Sequence, residues 1–513
     1  MPALKRGTDG GGRGGCSTHR PAPAAAIPVP PTPLPERPRS VAMKSLLRPS
    51  PTSGAAAAAP GAGRGGSPVV LGAALLGFFL ISLDALIVTV ALPDIGRSLG
   101  GGMSGLQWVV DGYTLTFAAL MLSAGAVSDR IGARQAYGGG LVLFGLASAA
   151  CGFAPGLGVL VAARLIQGAA AAVMMPASLA LVRQGFPDQA ERARAIAVWT
   201  VGGAVAVAAG PVLGGALTAS AGWRWIFFVN LPAGVLALAL LTRVPASPRL
   251  PARLDVVGQV TAVVAMGALT YGVIEGGGQG FDRPPVVMSL LVAAVAAAVF
   301  LAAQATGSHP MLPLPLFRSR VVAVSLVVGF MLNAAYYGGV FVFSLYLQQE
   351  RGQSALRAGV LFIPMTALVA AVNLASAKLA ALFGPRVPMV AGQLTGAVGL
   401  LALLTVGPHT DPWAVAALMV PVGLGGALTV PALTAMLLDA VPGDRAGSAS
   451  AVLNTGRQVG GALAVAAFGA LLAGADTFLT GMRWSMLTAA AGLVLTTGAT
   501  LTLPRHRHRH AEA

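Results

Sequence analysis

The sequence predicts an all-α polytopic membrane protein, and three observations lead to this fold class. Of the 513 residues, 55% are hydrophobic and only 10% are charged, whereas a soluble domain carries roughly a quarter charged residues. The apolar residues form many runs long enough for a helix of about 20 residues to cross a bilayer core of about 30 Å. Glycine is abundant, with 68 residues, and small residues let membrane helices pack closely.

Fourteen apolar runs are predicted to span the membrane as helices, because a helix satisfies its own backbone hydrogen bonds in lipid. Their approximate limits are 69–92, 106–127, 136–155, 158–182, 195–218, 226–242, 256–275, 285–305, 321–347, 358–380, 386–407, 412–436, 448–473 and 482–503.

Lysine and arginine predict the orientation of these spans. With the N-terminus placed in the cytoplasm, the inner connections and the C-terminus hold 16 of these residues, the outer connections hold 6, and the N-terminal tail holds nine more. This bias predicts both termini in the cytoplasm, which requires an even number of spans. The net charge of +16 is therefore interpreted as a topology signal at the lipid bilayer, and nucleic acid is not expected as a partner.

The two ends of the chain differ from its middle. Residues 1–66 are rich in Pro, Gly, Ala and Arg and are predicted to form a disordered cytoplasmic tail without a secretory signal. A transit peptide, or a start at Met43, is the alternative there. Residues 504–513 are predicted to be a basic cytoplasmic tail, in which alternating Arg and His favour anionic lipid over a metal. Cys16 and Cys151 are not expected to pair.

A weak internal repeat organises the spans. Gly132 and Gly384 follow the second and tenth spans and lie 252 residues apart, and Pro187 and Pro442 follow the fourth and twelfth spans and lie 255 apart. These similar offsets predict two parallel six-helix bundles at 67–243 and 321–503. The linker 244–320 then carries two extra transmembrane helices. Parallel halves of this kind are a transporter design.

Asp84 is the first candidate for chemistry. It lies about 15 residues into the first span, roughly 22 Å from the inner end, where a carboxylate should face the bundle interior or water. Ala73, Gly77 and Ala91 share its helical face and form a small-residue stripe. Asp84 is predicted to bind and release a proton; the alternative is a structural aspartate fixed by hydrogen bonds.

Arg164 in the fourth span is predicted to pair with a carboxylate in another span, because a buried arginine needs an anion. Asp84 and Asp111, near the outer start of the second span, lie at a similar depth, so movement between these groups could gate proton release. The alternative is that Arg164 only ties helices together. Gln167 and Met175 follow in the same span and are predicted to line the substrate cavity.

Two further segments carry candidate residues. Gly210, Pro211, Gly214 and Gly215 are predicted to interrupt the fifth span, because proline removes a helical hydrogen bond and glycine admits a close partner helix. This segment is predicted to be a hinge or a seal between the halves, with ordinary tight packing as the alternative. A polar patch in the thirteenth span and an aromatic residue in the ninth are predicted to line the cavity: Asn454, Arg457, Gln458 and Tyr336.

The sequence lacks the signals of an enzyme. It contains no G-x-x-x-x-G-K-[ST] loop for nucleotide phosphates, so ATP is not expected to drive it. No pair of histidines lies four residues apart within a span. The chain is therefore predicted to be a non-enzymatic protein without a metal or a cofactor.

Seven motifs together resemble the major facilitator superfamily, and within it the fourteen-spanner drug:proton antiporters, over about residues 69–503. They are LDALIVTVALP at 83–93, WVVDGY at 108–113, GAVSDRIGAR at 125–134, RLIQG at 164–168, GPVLGG at 210–215, WRWIFFVNLP at 223–232 and RQVGG at 457–461. The third motif departs from the family at Ala133, where a basic residue is usual. The fifth departs at Ala206, where a glycine is usual.

The resemblance implies transport by alternating access in the cytoplasmic membrane, with the proton gradient as the energy source. Asp84 and Arg164 would carry the proton coupling. A latch on the cytoplasmic side would consist of Gly125, Asp129, Arg130, Gly132 and Arg134.

Three functions are compatible with this sequence. The first is a monomeric, proton-driven exporter of amphiphilic drugs, antibiotics or natural products, which the Ala- and Met-rich spans favour. The second is a transporter of one polar solute, such as a sugar or an organic acid, for which the polar residues form only a thin set. The third is a non-transporting membrane sensor or scaffold.

Overall fold

A computed structural model describes residues 67–249, 251, 254–307, 310–442 and 445–503. All regular structure within these residues is helical. The predictions for residues 1–66 and 504–513, including those for Met43, Cys16 and the Arg/His tract, lie outside the described residues.

The described helices are named in chain order. They are α1 (Pro68–Ile87), α2 (Leu92–Leu99), α3 (Gly102–Ile131), α4 (Ala133–Gly152), α5 (Leu157–Gly185), α6 (Gln189–Ala221), α7 (Trp225–Phe228), α8 (Asn230–Leu241), α9 (Val256–Gln279), α10 (Pro284–Thr306), α11 (Arg320–Leu345), α12 (Ala355–Leu361), α13 (Ile363–Ala367), α14 (Val369–Phe383), α15 (Arg386–Ala402), α16 (Pro412–Asp439), α17 (Ala446–Ala473) and α18 (Phe478–Leu501). Single turns at Leu314–Arg318, Tyr346–Glu350 and Leu403–Thr405 complete the set.

Twelve helical stretches in the described part of the chain are long and apolar enough to cross a membrane. Each of them overlaps one predicted span, so a multi-pass helical membrane protein is confirmed. The predicted spans 136–155 and 226–242 fall on α4 and on the shorter apolar stretch Trp225–Leu241, neither of which belongs to the twelve.

Some helix boundaries differ from the prediction, and proline or a local hydrogen bond accounts for each difference. Helix α1 ends at Ile87 rather than near 92, because the Thr89 hydroxyl donates to the Leu86 carbonyl (2.7 Å) and Pro93 opens α2. Ala91 therefore lies outside the helix and does not extend its small-residue stripe. The predicted span 358–380 is divided into α12, α13 and α14, with Pro364 in the first turn of α13.

The predicted internal repeat has a structural counterpart at the two glycines that define it. Gly132 joins α3 to α4 with φ of 94°, and Gly384 joins α14 to α15 with φ of 81°, a conformation that favours glycine. Two residues after each glycine, an arginine caps the last helix of the same half of the chain. Arg134 donates to the Thr242 carbonyl (3.3 Å), and Arg386 donates to the Leu503 carbonyl (3.0 Å).

Helix packing follows the repeat. In the first half α1 packs against α5, α6 and α8, while α5 also packs against α3 and α4. In the second half α11 packs against α16, α17 and α18, and α15 packs against α16 and α18. The halves meet where α3 contacts α17 and α6 contacts α12. Helix α9 lies against both α3 and α17, and α10 packs against α9.

A polar clasp holds the segment after α10 against the start of α9. The Asp255 carboxylate accepts from the Gly258 amide (2.8 Å), the Gln304 side chain (2.6 Å) and the Met311 amide (3.4 Å). The Gln304 carbonyl in turn accepts from the Leu312 amide (2.8 Å). Burial raises the pKa of Asp255, but the hydrogen bonds outweigh burial and hold this pKa below its usual value.

Replacing Asp255 with alanine is expected to destabilise the protein by about 1.5–3 kcal/mol, because hydrogen bonds to a charged group are lost. Since the folded-state pKa is lowered, this stabilisation is complete above the unfolded pKa of about 3.9 and is lost only at lower pH. Thermal unfolding in detergent at pH 7 and pH 5 measures the loss. The control is Asp411→Ala, which removes an N-cap bonded only to Trp413 and Ala414; equal losses for both variants would contradict the clasp.

Candidate functional site

The centre of the first half contains a buried ion pair between α1 and α5. Arg164 donates through one terminal nitrogen to Asp84 Oδ2. The Asp84 side chain is 0% exposed and the Arg164 side chain 1% exposed. Two turns before Asp84, α1 and α4 pack closely at Gly77, where a Cβ atom would overlap the Tyr137 ring. Of the two carboxylates considered as partners of Arg164, Asp84 forms the ion pair.

Two amide side chains complete the coordination of the carboxylate. Gln167 and Asn230 each donate to Asp84 Oδ1 at 2.8 Å. Both amides also donate to the Ser148 hydroxyl, at 3.3 Å and 3.1 Å, and that hydroxyl donates to the Phe227 carbonyl at 2.8 Å. Four helices, α1, α4, α5 and α8, thus meet in one hydrogen-bonded network around a single carboxylate.

The guanidinium group of Arg164 has two further acceptors. Its Nε donates to the Val109 carbonyl of α3 at 3.0 Å, and the terminal nitrogen that donates to Asp84 also donates to Gln167 Oε1 at 3.0 Å. The cation lies 4.5 Å from the Tyr113 ring centroid and 5.9 Å from that of Phe227. Removing one partner from such a buried pair leaves an uncompensated charge, which is strongly destabilising.

Sequence reasoning found part of this network and missed the rest. Ser148 and Asn230 were not among the predicted site residues, although Asn230 lies in the WRWIFFVNLP motif and a polar residue within a span is a functional candidate. Gln167 is predicted to line the substrate cavity. In this structure its side chain is 0% exposed, and both ends of its amide bond to Asp84, Arg164 and Ser148.

Asp111 lies apart from the ion pair. Its side chain is 0% exposed and accepts one long hydrogen bond, from the Thr114 hydroxyl to Oδ1 at 3.4 Å. Its Oδ2 has no hydrogen-bond partner among the described residues. The structure does not join Asp111 to Arg164, and it leaves a carboxyl group buried in a span without a cation.

The residues of the predicted latch lie at the α3–α4 connection. Asp129 and Arg130 are exposed. A Cβ atom at Gly125 would have no neighbour within 4 Å. Arg134 donates to the Thr242 carbonyl and, through its backbone amide, to the Ser247 hydroxyl (3.1 Å). The hydrogen bonds described for this group therefore stay within the first half and the segment that follows it.

The glycine-rich segment of α6 forms an interface rather than a break. Helix α6 runs without interruption through Pro211 from Gln189 to Ala221, which corrects the predicted interruption. Gly210 and Gly214 pack against α1, and a Cβ atom at Gly215 would overlap the Ala355 carbonyl. On the facing helix a Cβ atom at Gly359 would overlap the Pro211 carbonyl. Backbone thus touches backbone where the halves meet.

Two other contacts join the halves at the same end of the bundle. Gln107 near the start of α3 donates to the Ala466 carbonyl of α17 at 2.6 Å. Ser344 near the end of α11 donates to the Thr89 carbonyl at 2.7 Å. All these residues lie at the end that the sequence predicts to be outer.

The remaining predicted cavity residues are partly exposed. Asn454, Arg457 and Gln458 lie together on α17, and Tyr336 lies on α11 with its ring 5.5 Å from that of Tyr337. Met175 of α5 is partly buried and packs against the apolar clusters of the first half.

Replacing Asn230 with alanine is expected to reduce transport while leaving the fold intact. The change removes one of two 2.8 Å donors to Asp84 Oδ1, a bond to a charged group that contributes about 1.5–3 kcal/mol. Transport in vesicles at equal protein level should fall roughly 10- to 100-fold. Thr395→Ala serves as a control, because that hydroxyl bonds only to its own helix. Wild-type rates for Asn230→Ala would show that this hydrogen bond to Asp84 has no role in transport.

Comparisons with known proteins agree with these features. The methylenomycin A resistance protein of Bacillus subtilis is 35% identical, with 82% of this chain and 91% of that protein covered. The multidrug resistance protein Stp of Mycobacterium tuberculosis is 41% identical over 78% of this chain and 74% of that protein. The tetracenomycin C resistance and export protein of Streptomyces glaucescens is 32% identical over 81% of this chain and 78% of that protein.

Solved structures share the fold. A bacterial homologue of the human lysosomal transporter Spinster superposes with a TM-score of 0.62 at 17% identity, covering 85% of this chain and 97% of that one. A D-xylose–proton symporter gives a TM-score of 0.62 at 15% identity, covering 85% and 98%. The Major Facilitator Superfamily profile matches residues 74–465. The chain therefore belongs to the Major Facilitator Superfamily and is a multi-pass membrane transporter of small molecules rather than an enzyme.

Proposed function

We propose that this transporter exports amphiphilic drugs, antibiotics or natural products across the cytoplasmic membrane in exchange for protons. Relatives at 32–41% identity that cover most of the chain are named for drug resistance or export. The observation that carries the coupling is the fully buried Asp84–Arg164 pair, because an ionisable pair in a membrane span marks an ion or proton pathway. No bound cofactor is required, since the proton gradient supplies the energy.

The network suggests how one proton changes the structure. With Asp84 ionised, its charge offsets that of Arg164, and both Gln167 and Asn230 donate to the carboxylate. A proton on Asp84 removes the ion pair and leaves Arg164 with neutral partners only. The contact between α1 and α5 is then weaker, which favours the other arrangement of the two halves. Asp111, a buried carboxyl without a cation, is a second group able to hold a proton.

The proposed architecture has fourteen spans, both termini in the cytoplasm and a working monomer. It counts α4 and the α7–α8 stretch as spans, places six-helix bundles at 67–243 and 321–503, and assigns α9 and α10 to the linker 244–320. In this orientation the halves touch at their outer ends, through Gly215 and Gln107, while Asp129 and Arg130 are exposed at the inner end. The described state then faces the cytoplasm, with the latch open.

A transporter of one polar solute is the second candidate. The side chains that favour it are Asn454, Arg457 and Gln458 on α17, which are polar and partly exposed. These three polar side chains are fewer than a site for one polar solute would need, and a mainly apolar lining is expected for an exporter of varied amphiphiles.

The experiment uses everted membrane vesicles with a pH-sensitive dye in the lumen. Respiration acidifies the lumen, and a panel of cationic, neutral and acidic amphiphilic antibiotics is then added. An antiporter releases lumenal protons when its substrate is supplied, and a protonophore abolishes substrate uptake. Uptake that is insensitive to the protonophore would refute proton coupling. Proton release only with a sugar or another polar solute would favour the second candidate.

A further inference from the structure

A second arginine lies within the membrane-spanning helices, and its described partners are all neutral. Arg457 of α17 donates from Nε to Asn333 Oδ1 at 3.2 Å and from a terminal nitrogen to Asn454 Oδ1 at 3.5 Å. Neither amide carries charge, and none of the carboxylates in the described part of the chain forms an ion pair with this side chain. Arginine stays charged in proteins, so a positive charge within a span lacks a protein counter-ion.

The contrast with Arg164 defines what this residue can do. Arg164 is closed from solvent and neutralised by Asp84, so it has no capacity for a further anion. Arg457 is partly exposed and keeps donor groups that two amide oxygens at 3.2 and 3.5 Å satisfy only weakly. A guanidinium group presents several donors in a planar fork that matches a carboxylate or a similar oxyanion.

The surroundings of Arg457 form a site with an apolar side. The aliphatic part of the Arg457 side chain packs against Gly329 of α11, where a Cβ atom would lie 3.0 Å from Arg457 Cγ. A Cβ atom at Gly461 would lie 3.3 Å from the Tyr337 ring, and the Tyr336 and Tyr337 rings meet edge to face with their centroids 5.5 Å apart. Arg457 and Gly461 lie one turn apart on α17, and both meet α11, so the cation and the Tyr336–Tyr337 pair lie at the same helix contact. These rings can pack against the apolar body of a ligand.

We propose that Arg457 binds the anionic group of the transported molecule, so that the preferred substrates are amphiphilic acids. Such a molecule carries a carboxylate or an equivalent oxyanion on an apolar or aromatic body. The oxyanion pairs with the guanidinium group, and the body packs against Tyr336 and Tyr337. This inference rests on the proposed export function and narrows its substrate class.

The test compares an aromatic carboxylic acid with its primary amide, which has nearly the same shape without the charge. Binding of each compound to purified full-length protein in phosphatidylcholine nanodiscs is measured by calorimetry. The acid is expected to bind about 10- to 100-fold more tightly than the amide, the range for bonds to a charged group. Arg457→Gln should abolish this preference, and Arg457→Lys, which keeps the charge, should retain part of it. Arg483→Gln, at an exposed arginine of α18, should leave it unchanged.

The outcomes separate this inference from the export function. Equal binding of acid and amide to the wild type, or a preference that survives in Arg457→Gln, overturns the inference even if proton-driven export of a neutral or cationic drug is found in vesicles. A preference lost in Arg457→Gln supports the site even where proton coupling fails. Adding phosphatidylglycerol to the nanodiscs tests an anionic lipid as the occupant. Complete loss of acid binding there would assign the site to lipid and reject the substrate assignment.

Discussion

Replacing Asp84 with asparagine is expected to reduce proton-driven export to the background of vesicles that lack the protein. Asparagine keeps the shape of the side chain and can still accept from Gln167 and Asn230, but it cannot take up or release a proton. It also leaves Arg164 buried without an anion, which should lower stability by about 3–5 kcal/mol. Transport is measured in everted vesicles at equal protein level, and thermal unfolding in detergent is measured in parallel.

Two controls isolate the role of the proton. Asp94→Asn breaks a second described ion pair, between Asp94 and Arg97. The Asp94 side chain is 28% exposed and the Arg97 side chain 76% exposed. This variant should leave transport unchanged, because exposed ion pairs contribute little. Asp84→Asn combined with Arg164→Gln removes the uncompensated charge and should restore stability but not transport. Proton-driven export at the wild-type rate in Asp84→Asn would refute the assignment and direct attention to Asp111.

How much of this site the sequence could predict depends on how few partners each side chain can have, because the predicted contact of Asp84 with Arg164 and the missed contact of Ser148 with Asn230 span 80 and 82 residues. An aspartate and an arginine isolated in separate spans have few partners other than each other, so the cost of intramembrane charge limited the partner of Arg164 to Asp84 or Asp111. Ser148 and Asn230 offered no such argument, because a serine or asparagine in a span can bond to its own helix. Only tertiary packing brings both side chains within 3.1 Å of each other.

The differences in the fold have a similar origin. The sequence predicts an interruption at Pro211, yet α6 is continuous there, whereas Pro364 lies in the first turn of a separate helix. Sequence alone does not distinguish these cases, because neighbouring helices decide whether a proline is accommodated. The repeat of Gly132 and Gly384 was visible in the sequence. The capping of the last helix of each half by Arg134 and Arg386 was not, since each bond spans more than 100 residues.

Replacing Gly215 with leucine is expected to hold the two halves apart at the end where they now touch and so to stop transport. A Cβ atom at this position already overlaps the Ala355 carbonyl, and backbone cannot give way as a flexible side chain can. In alternating access both arrangements must be reached in each cycle. Overpacking a tight contact costs about 1–3 kcal/mol or more. Because each 1.4 kcal/mol changes a population ratio tenfold, the arrangement closed at this end should become about 5- to 150-fold less populated relative to the other arrangement.

The measurement pairs transport with labelling of Ser344→Cys in a background that lacks Cys16 and Cys151. Ser344 is 0% exposed at the closed end and donates to the Thr89 carbonyl, so a cysteine there should react slowly with a membrane-impermeant maleimide added to whole cells. Gly215→Leu should raise this labelling while export falls to background. Gly139→Leu is the matched control, because Gly139 is exposed on α4 with nothing within 4 Å of a built Cβ atom. Wild-type export together with continued protection of Ser344→Cys in Gly215→Leu would mean that the α6–α12 contact is ordinary packing and does not seal the transporter.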